Sequence, residues 1–536
     1  MGRGGPGQHR LAPWGGGSRE GGEWGDMGVG IWTHGLECLD KLGVLQRLES
    51  EGRYMEEAGY RDTQGTWLVR PSQPLRRYGD TVDFSASSSC SDEKETDTGG
   101  SAILPEEKET SRRRTRSGGG GAKHASVLFV RESKLIEALR DALADNTEII
   151  AADVDDIRRD EVGGYGIAAR LSAPLSSSSS WTDSFDLLVG ADGPRSLIRG
   201  KLLQGDAASP DEEKNDAARD EMEEVTSPTQ PSPSDPVRRG YVVYRGVCTS
   251  STAADAAAMS RGVAAGGVRG GETEGDLESF QTWGPGLRFA SVPLAGDGER
   301  MWFATVADGV VADHGEGIGR TGKAPPPSKI KPFLMETFGA WHAPVADLLR
   351  GTRDEDIVWE DARAMTRQAL KLAAGAGSIG GLGERAVLVG DAAHTLDPVL
   401  AQGAGVALED AFWLAYRVKE FNEACIRRES NATKPLLTAG AELEATLRRY
   451  ETGRLERALL LSSISNLSQT LGQLRPRGLV QGRNTALGLM PHSLKSRCFD
   501  GLMAASLAGG MGAAVRGAVR GFGLREEGYH YGVPDL

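Results

Sequence analysis

The sequence predicts an α/β protein in which one α/β domain is split by an inserted β-sheet domain and followed by C-terminal helices. Three observations predict it. Two short apolar runs, Phe185–Val189 and Ala386–Val389, each end in a turn that pairs Gly with Asp. Such runs suit buried parallel strands that hand over to helices. Between them lies a block of extended segments at residues 240–248, 287–293 and 301–306. From about residue 438 onwards the apolar spacing turns helical, with Leu443, Leu447, Tyr450 and Leu455 among the apolar positions.

Composition bounds the class. At 536 residues the chain is long enough for two or more domains. A net charge of −13 argues against nucleic-acid binding, because no overall basic field attracts phosphates. The five cysteines are odd in number and far apart, and read as reduced thiols in a reducing compartment. The spacing of the eight histidines gives no reason to expect a metal site. No uncharged apolar run reaches the ~20 residues a membrane span needs. The nearest, Gly501–Val515, reads as a packed helix, or as a weak membrane-surface helix beside Arg516 and Arg520.

The elements follow in chain order. Residues 1–27 form an atypical Gly-rich N-terminus without an apolar strand, and residues 28–83 a first cofactor-domain and substrate-side segment. Residues 84–126, 205–236 and 249–277 are rich in Ser, Gly, Ala or charge, and are expected to be disordered loop insertions. A helix is expected from Glu132, with Leu135, Ile136, Leu139 and Leu143 on one face. Ile149–Ile157 and Gly166–Leu171 suggest a hairpin. Residues 127–204 then carry the first Asp-Gly turn, 237–375 the sheet domain, 376–425 the second cofactor segment and 426–536 the helical end. The helix after the second turn sets Ala404, Leu408, Ala411, Ala415 and Val418 on one face.

The most informative stretch is Gly390–Ala411, GDAAHTLDPVLAQGAGVALEDA. Asp391 follows a strand, where a carboxylate accepts hydrogen bonds from ribityl or ribose hydroxyls. Pro398 stiffens the turn. Gly403 and Gly405 leave the backbone bare for a flat ring. The helix N-terminus offers free N–H groups and partial positive charge. His394 is read as structural. Asp186–Arg199, DLLVGADGPRSLIR, fits a DGxxSxxR pattern through Asp192, Gly193, Ser196 and Arg199; Arg199 either stays near phosphates or ties the loop down.

These segments resemble the motifs of the FAD-dependent aromatic-ring hydroxylases, a flavoprotein monooxygenase family with a p-hydroxybenzoate-hydroxylase-like plan. Val130–Leu139, VRESKLIEAL, is similar to the family segment whose arginine reaches the flavin, here Arg131. The segments around Tyr244-Arg245-Gly246, Trp283–Phe289 and Trp302–Thr305 resemble its zeaxanthin-epoxidase and plant-type branches, with Arg245 and Arg288 as candidate strand-edge residues. The resemblance implies a Rossmann-like FAD domain, FAD as cofactor and NAD(P)H as co-substrate. It also implies O2 activation through a flavin C4a-hydroperoxide that hydroxylates or epoxidises a small apolar or aromatic substrate, with a carotenoid as leading guess. The cofactor set it implies is Arg131, Asp192, Gly193, Gly390, Asp391, Pro398, Gln402, Gly403, Ala404 and Gly405, with no protein nucleophile. A plastid address would suit a carotenoid.

The family's N-terminal GxGxxG unit finds no match in Met1–Met27, so the expected FAD domain is incomplete there. A start chosen too late is the favoured explanation. The alternative is a degenerate, flavin-free homologue serving as a non-enzymatic binding protein.

Overall fold

The computed structural model describes residues 9–11, 26–55, 59–70, 75, 77–79, 126–160, 166–172, 179–204, 232–249, 279–294, 299–313, 327–375, 384–428 and 440–507. The three low-complexity tracts fall almost wholly outside these residues, as does Gly163-Gly164 of the expected hairpin.

The first half of the chain alternates strands with short helices. Strand β1 (His9–Leu11) is followed by β2 (Gly28–Trp32), α1 (Thr33–Lys41), α2 (Leu45–Glu51), β3 (Arg53–Tyr54), β4 (Tyr60–Arg61) and β5 (Trp67–Val69). Then come β6 (Val127–Arg131), α3 (Glu132–Asp141), β7 (Thr147–Ile149), β8 (Asp153–Asp160), β9 (Gly166–Ser172), β10 (Ser179–Trp181), β11 (Leu188–Gly190) and α4 (Leu197–Gln204). Strands β8 and β9 pair antiparallel, which is the expected hairpin. Helix α3 ends before Leu143, which is exposed, so that leucine leaves the expected apolar face. Strand β1 pairs parallel with β7, giving a strand where the sequence pattern showed none. Its residues, HRL, carry no apolar run to announce it.

The second half builds the large sheet. It comprises β12 (Val237–Cys248), β13 (Phe280–Gly284), β14 (Leu287–Pro293), β15 (Arg300–Ala307) and, after helices α5 (Asp308–Asp313), α6 (Pro327–Phe338) and α7 (Val345–Gly351), β16 (Val358–Ala364). The seven strands run in the order β16-β12-β15-β14-β13-β4-β5. Helix α8 (Arg367–Ala374), β17 (Ala386–Leu388), α9 (Asp391–His394), α10 (Gly403–Arg428), α11 (Gly440–Gly472), α12 (Arg477–Leu489) and α13 (His492–Leu507) complete the chain.

The central strands β14 and β15 are buried at nearly every position, because both faces of the sheet are covered there. Tyr244, Phe289 and Trp302 pack with Phe333, Phe338 and Leu348 of the covering helices. Trp302 stacks on Phe289 with ring centroids 5.6 Å apart, and its Nε1 donates to Thr352 Oγ1 at 2.8 Å. The sheet's other side meets Met27, Val127 and Phe129 through Val247, Val292 and Met301. Arg288 belongs to this interior: at 3% exposure it is not a strand-edge residue, because β14 lies between β13 and β15. Burial pulls its guanidinium below the usual arginine range.

The two Gly/Asp turns meet in space. Strand β11 pairs parallel with β17, with Gly190 opposite Leu388, although 198 residues separate them. That pairing joins chain segments on either side of strands β12–β16.

Trp302→Ala is expected to cost about 3–5 kcal/mol, since it removes a wholly buried ring and strands Thr352 beside a cavity. A urea-unfolding midpoint within error of the parent protein would contradict this account of the core.

Candidate functional site

Two turns and one helix N-terminus build the site. Two residues past β17 lies Gly390, whose backbone sits at φ 57° and ψ −141°, a conformation a side chain would strain. Asp391 opens α9 directly after it. Asp391 is exposed to solvent. The surroundings push its carboxyl above the usual carboxylate range, and Asp410 adds to the effect.

The turn after β11 is fixed by its own side chains. Gly193 takes φ 78°. Asp192 accepts from Ser196 Oγ at 2.6 Å and from the Ile198 amide at 3.0 Å, which fastens the turn onto the start of α4. Arg199 is 1% exposed. Its guanidinium donates to the Pro194 carbonyl and to the Ala392 carbonyl, each at 2.8 Å. One arginine therefore joins the two turns. Of the two roles open to Arg199 in the sequence, the structure shows loop-tying.

The segment between α9 and α10 is anchored to the large sheet. Asp397 accepts from Tyr241 Oη at 2.5 Å, Arg239 Nε at 2.9 Å and the Val399 amide at 3.0 Å. Arg239 also reaches Gln469 of α11. Pro398, exposed, starts the short 3-10 turn that follows, and Ala401 ends it in the left-handed region at φ 50°. The Ala401 carbonyl accepts from Trp32 Nε1 at 3.1 Å.

Helix α10 then begins. Helix geometry leaves its first amides without intrahelical acceptors. Nothing lies within 4 Å of where a Cβ on Gly403 would stand. Gly405 is different: a Cβ there would meet His34 Nε2 at 2.4 Å. The flat ring that approaches Gly405 belongs to the protein itself. Gln402 is buried and donates to Ser506 Oγ of α13 at 3.0 Å, while the half-buried Ala404 packs beside the α1 core. Arg131 caps α3, where its guanidinium binds the Asp26 carbonyl and Glu299.

The buried face of α10 departs from the expected one. Ala411 and Ala415 are exposed, whereas Glu409, Asp410, Phe412 and Leu414 are buried. The reason is a charge cluster that pulls the acids inward. Asp410 accepts from the Gly390 amide at 2.7 Å and pairs with His394 Nε2 at 2.6 Å. Arg454 of α11 bridges Asp410 and Glu409, and Arg457 reaches Glu409 at 3.3 Å and the Ser506 carbonyl at 2.9 Å. Burial disfavours both carboxylates, but the facing guanidiniums prevail and hold each down at about 2. Burial also works against the charged form of His394, yet Asp410 raises it overall. His34 has no such partner on its ring nitrogens, and burial brings it down to about 4.

Sequence reasoning found the two turns and missed this cluster together with Asp397, Tyr241 and Arg239. A signal was present: adjacent Glu409-Asp410 in one helix, and Arg454 and Arg457 one turn apart in another.

No profile of a known family matches the chain. Among curated proteins, aurachin C monooxygenase/isomerase of Stigmatella aurantiaca is 30% identical over 338 residues, covering 62% of this chain and 61% of the relative. Chloroplastic zeaxanthin epoxidase of Arabidopsis thaliana is 29% identical over 173 residues, 32% of this chain and 21% of the relative. The chain thus matches about three fifths of the first relative's length and about a fifth of the second's. Among solved structures, the R204Q variant of Klebsiella pneumoniae HpxO, complexed with FAD, superposes with a TM-score of 0.52 at 16% identity over 90% of each chain. The fold is that of this FAD-complexed protein, and the sequence is related to that of aurachin C monooxygenase/isomerase.

Asp410→Asn is expected to destabilise the protein by about 3–5 kcal/mol, because it leaves buried Arg454 and His394 short of an anion. The folded-state values of Glu409 and Asp410 lie below the ordinary 4.5 and 3.8, so their contribution is complete above those values and is lost as pH falls toward about 2. His394 is raised, so its contribution is complete below pH 6.5 and is lost as pH climbs through its folded value. Urea midpoints across pH should fall on the acid side in the parent and fall less steeply in the variant. Parallel curves would refute the assignment.

Proposed function

We propose that the protein is an FAD-dependent monooxygenase that uses NAD(P)H and O2 to hydroxylate or epoxidise a small apolar or aromatic substrate. The observation that carries this reading is the joining of the two turns by Arg199, beside the open N-terminus of α10. The relationship to aurachin C monooxygenase/isomerase over 338 residues supports it.

The residues fit the ring and ribityl end of FAD. Asp391 offers an accessible carboxylate to hydroxyl groups. The bare backbone at Gly403 leaves room for a planar group, and the first amides of α10 would stabilise negative charge upon it. Gly193 and Gly390, both at positive φ, keep the two turns tight. Asp192 and Gln402 would act by shaping the walls, since their hydrogen bonds run to the chain itself. Arg131 would contribute from the start of α3, and Pro398 and Ala404 from the rim. Gly405 would act through its packing on His34.

When bound, FAD reduced by NAD(P)H supplies the O2-activating chemistry. The protein's part is placement and exclusion of water. The Asp397 contacts with Tyr241 and Arg239 fix the second turn against the large sheet, so the cofactor and substrate walls would move as one body. The apolar sheet would keep water from the reacting centre.

For the substrate, the higher identity and longer likeness favour a compound related to aurachin C over a carotenoid: 30% over 62% of the chain, against 25% over 53% for the zeaxanthin epoxidase of Solanum lycopersicum. The domain division follows the same plan, with residues 127–204 and 376–425 on the cofactor side and 237–375 on the substrate side.

The test is spectroscopic. Purified protein supplied with FAD should retain flavin absorbance and consume O2 faster when NAD(P)H is added. Asp391→Ala should weaken flavin retention by about tenfold to hundredfold, the loss expected for hydrogen bonds to a charged group. Undiminished retention in the variant would remove Asp391 from the site. A parent protein without flavin bands would favour the flavin-free homologue. O2 uptake screened with aurachin C, carotenoid micelles and aromatic acids would rank the substrates.

A further inference from the structure

The C-terminal helices carry a surface that the cofactor reading leaves unused. Among the described residues, five of the twelve large apolar side chains that stand exposed fall between residues 467 and 494: Leu467, Leu471, Leu479, Leu489 and Leu494. Leu489 is 82% exposed and Leu479 58%. In α12, Leu479, Gly482, Ala486 and Leu489 recur at i, i+3, i+7 and i+10, which sets them along one stripe, and all four are exposed. The Arg483 guanidinium donates to the Leu471 carbonyl at 2.7 Å, so the end of α11 adjoins this helix.

The charge around this stripe opposes that of the whole chain. From Arg457 to Phe499 the sequence contains no Asp or Glu, although the full chain carries −13. Arg475, Arg477 and Arg497 are exposed there, and Lys495 is half-buried. At physiological salt the Debye length is about 8 Å, so a surface brought close to these helices meets the local charge rather than the net one. Exposed leucines among basic side chains match an anionic lipid surface, whose acyl boundary takes the leucines while its headgroups take the arginines. Among the described residues no helix is long and apolar enough to cross a membrane, so such an encounter would be at the surface.

We propose that the α11–α12–α13 end of the molecule docks on an anionic lipid surface through Leu479, Leu489 and their basic neighbours. The helices pack against the edge of the large sheet: Ser496 Oγ donates to the Arg70 carbonyl at 2.9 Å, Phe499 meets Tyr60 edge-on with ring centroids 5.7 Å apart, and Arg483 lies 5.0 Å from the Trp283 ring. A docked lipid surface would therefore lie beside β4, β5 and β13. The docking face differs from the Gly501–Val515 stretch suggested by hydropathy, in which Gly501 and Ser506 are buried against the protein.

Co-sedimentation of the full chain with phosphatidylcholine vesicles, with and without phosphatidylserine, tests this. Binding is expected to the anionic vesicles, weakening at high salt. Leu479→Gln/Leu489→Gln should reduce it by about tenfold or more, since two exposed leucines lose their apolar burial. Arg475→Gln/Arg477→Gln should reduce it and flatten the salt dependence. Circular dichroism should show both variants folded, since the altered side chains are exposed. Absence of binding to anionic vesicles at low salt, or binding untouched by the leucine changes, overturns the proposal. A concentration-dependent dimer abolished by the leucine changes, without vesicle binding, would overturn it in favour of a self-association face.

Discussion

The arrangement hangs on one buried contact: the acids of α10 against the arginines of α11. Glu409 and Asp410 are 1% and 0% exposed, and Arg457 is 0%. Charges so far from water are tolerated only where partners compensate them. Here each acid meets Arg454, and Asp410 also meets His394 and the Gly390 amide. The same carboxylate that holds two helices together thus holds the turn beside Asp391. Such a cluster adds little net stability over an apolar replacement, but it fixes one register of α10 against α11. That register decides which residues of α10 face the open end at Gly403.

A second set of contacts makes the site one body. Arg199 fastens the turn after β11 to α9, and Asp397 fastens the following segment to β12. The centre of the large sheet is closely packed, with Trp302 and Phe289 stacked there among buried residues. Strands β11 and β17, with 195 residues between them, are joined by their parallel pairing and by these side-chain ties.

The two turns, the helix starts at Glu132 and near Gly403, the β8–β9 hairpin and strands β12, β14 and β15 of the large sheet were legible in the sequence. Each is encoded locally, by apolar runs ending in Gly and Asp or by period-two and helical spacing. The inward acids were not legible, because a charged residue in a helix reads as solvent-facing until its partner is known. Glu409 and Arg454 are 45 residues apart in sequence. For the same reason Ala411 and Ala415 were assigned to the inner face and Arg288 to a strand edge. Each assignment took polarity or size as the guide where a distant neighbour decides. Strand β1 was missed because a three-residue pair with β7 leaves no periodic trace.

By itself the sequence determined the local chemistry: glycines where the backbone takes positive φ at 193 and 390, an acid after each strand, and a long helix whose first turn is bare. Tertiary structure alone decided how these parts are used. It set Arg199 as a brace between the two turns, placed His34 against Gly405 and oriented α10 by its ion pairs. The physical reason is that backbone preference and apolar periodicity act over a few residues. The burial of a charge is settled by whatever opposite charge the fold brings within a few ångströms.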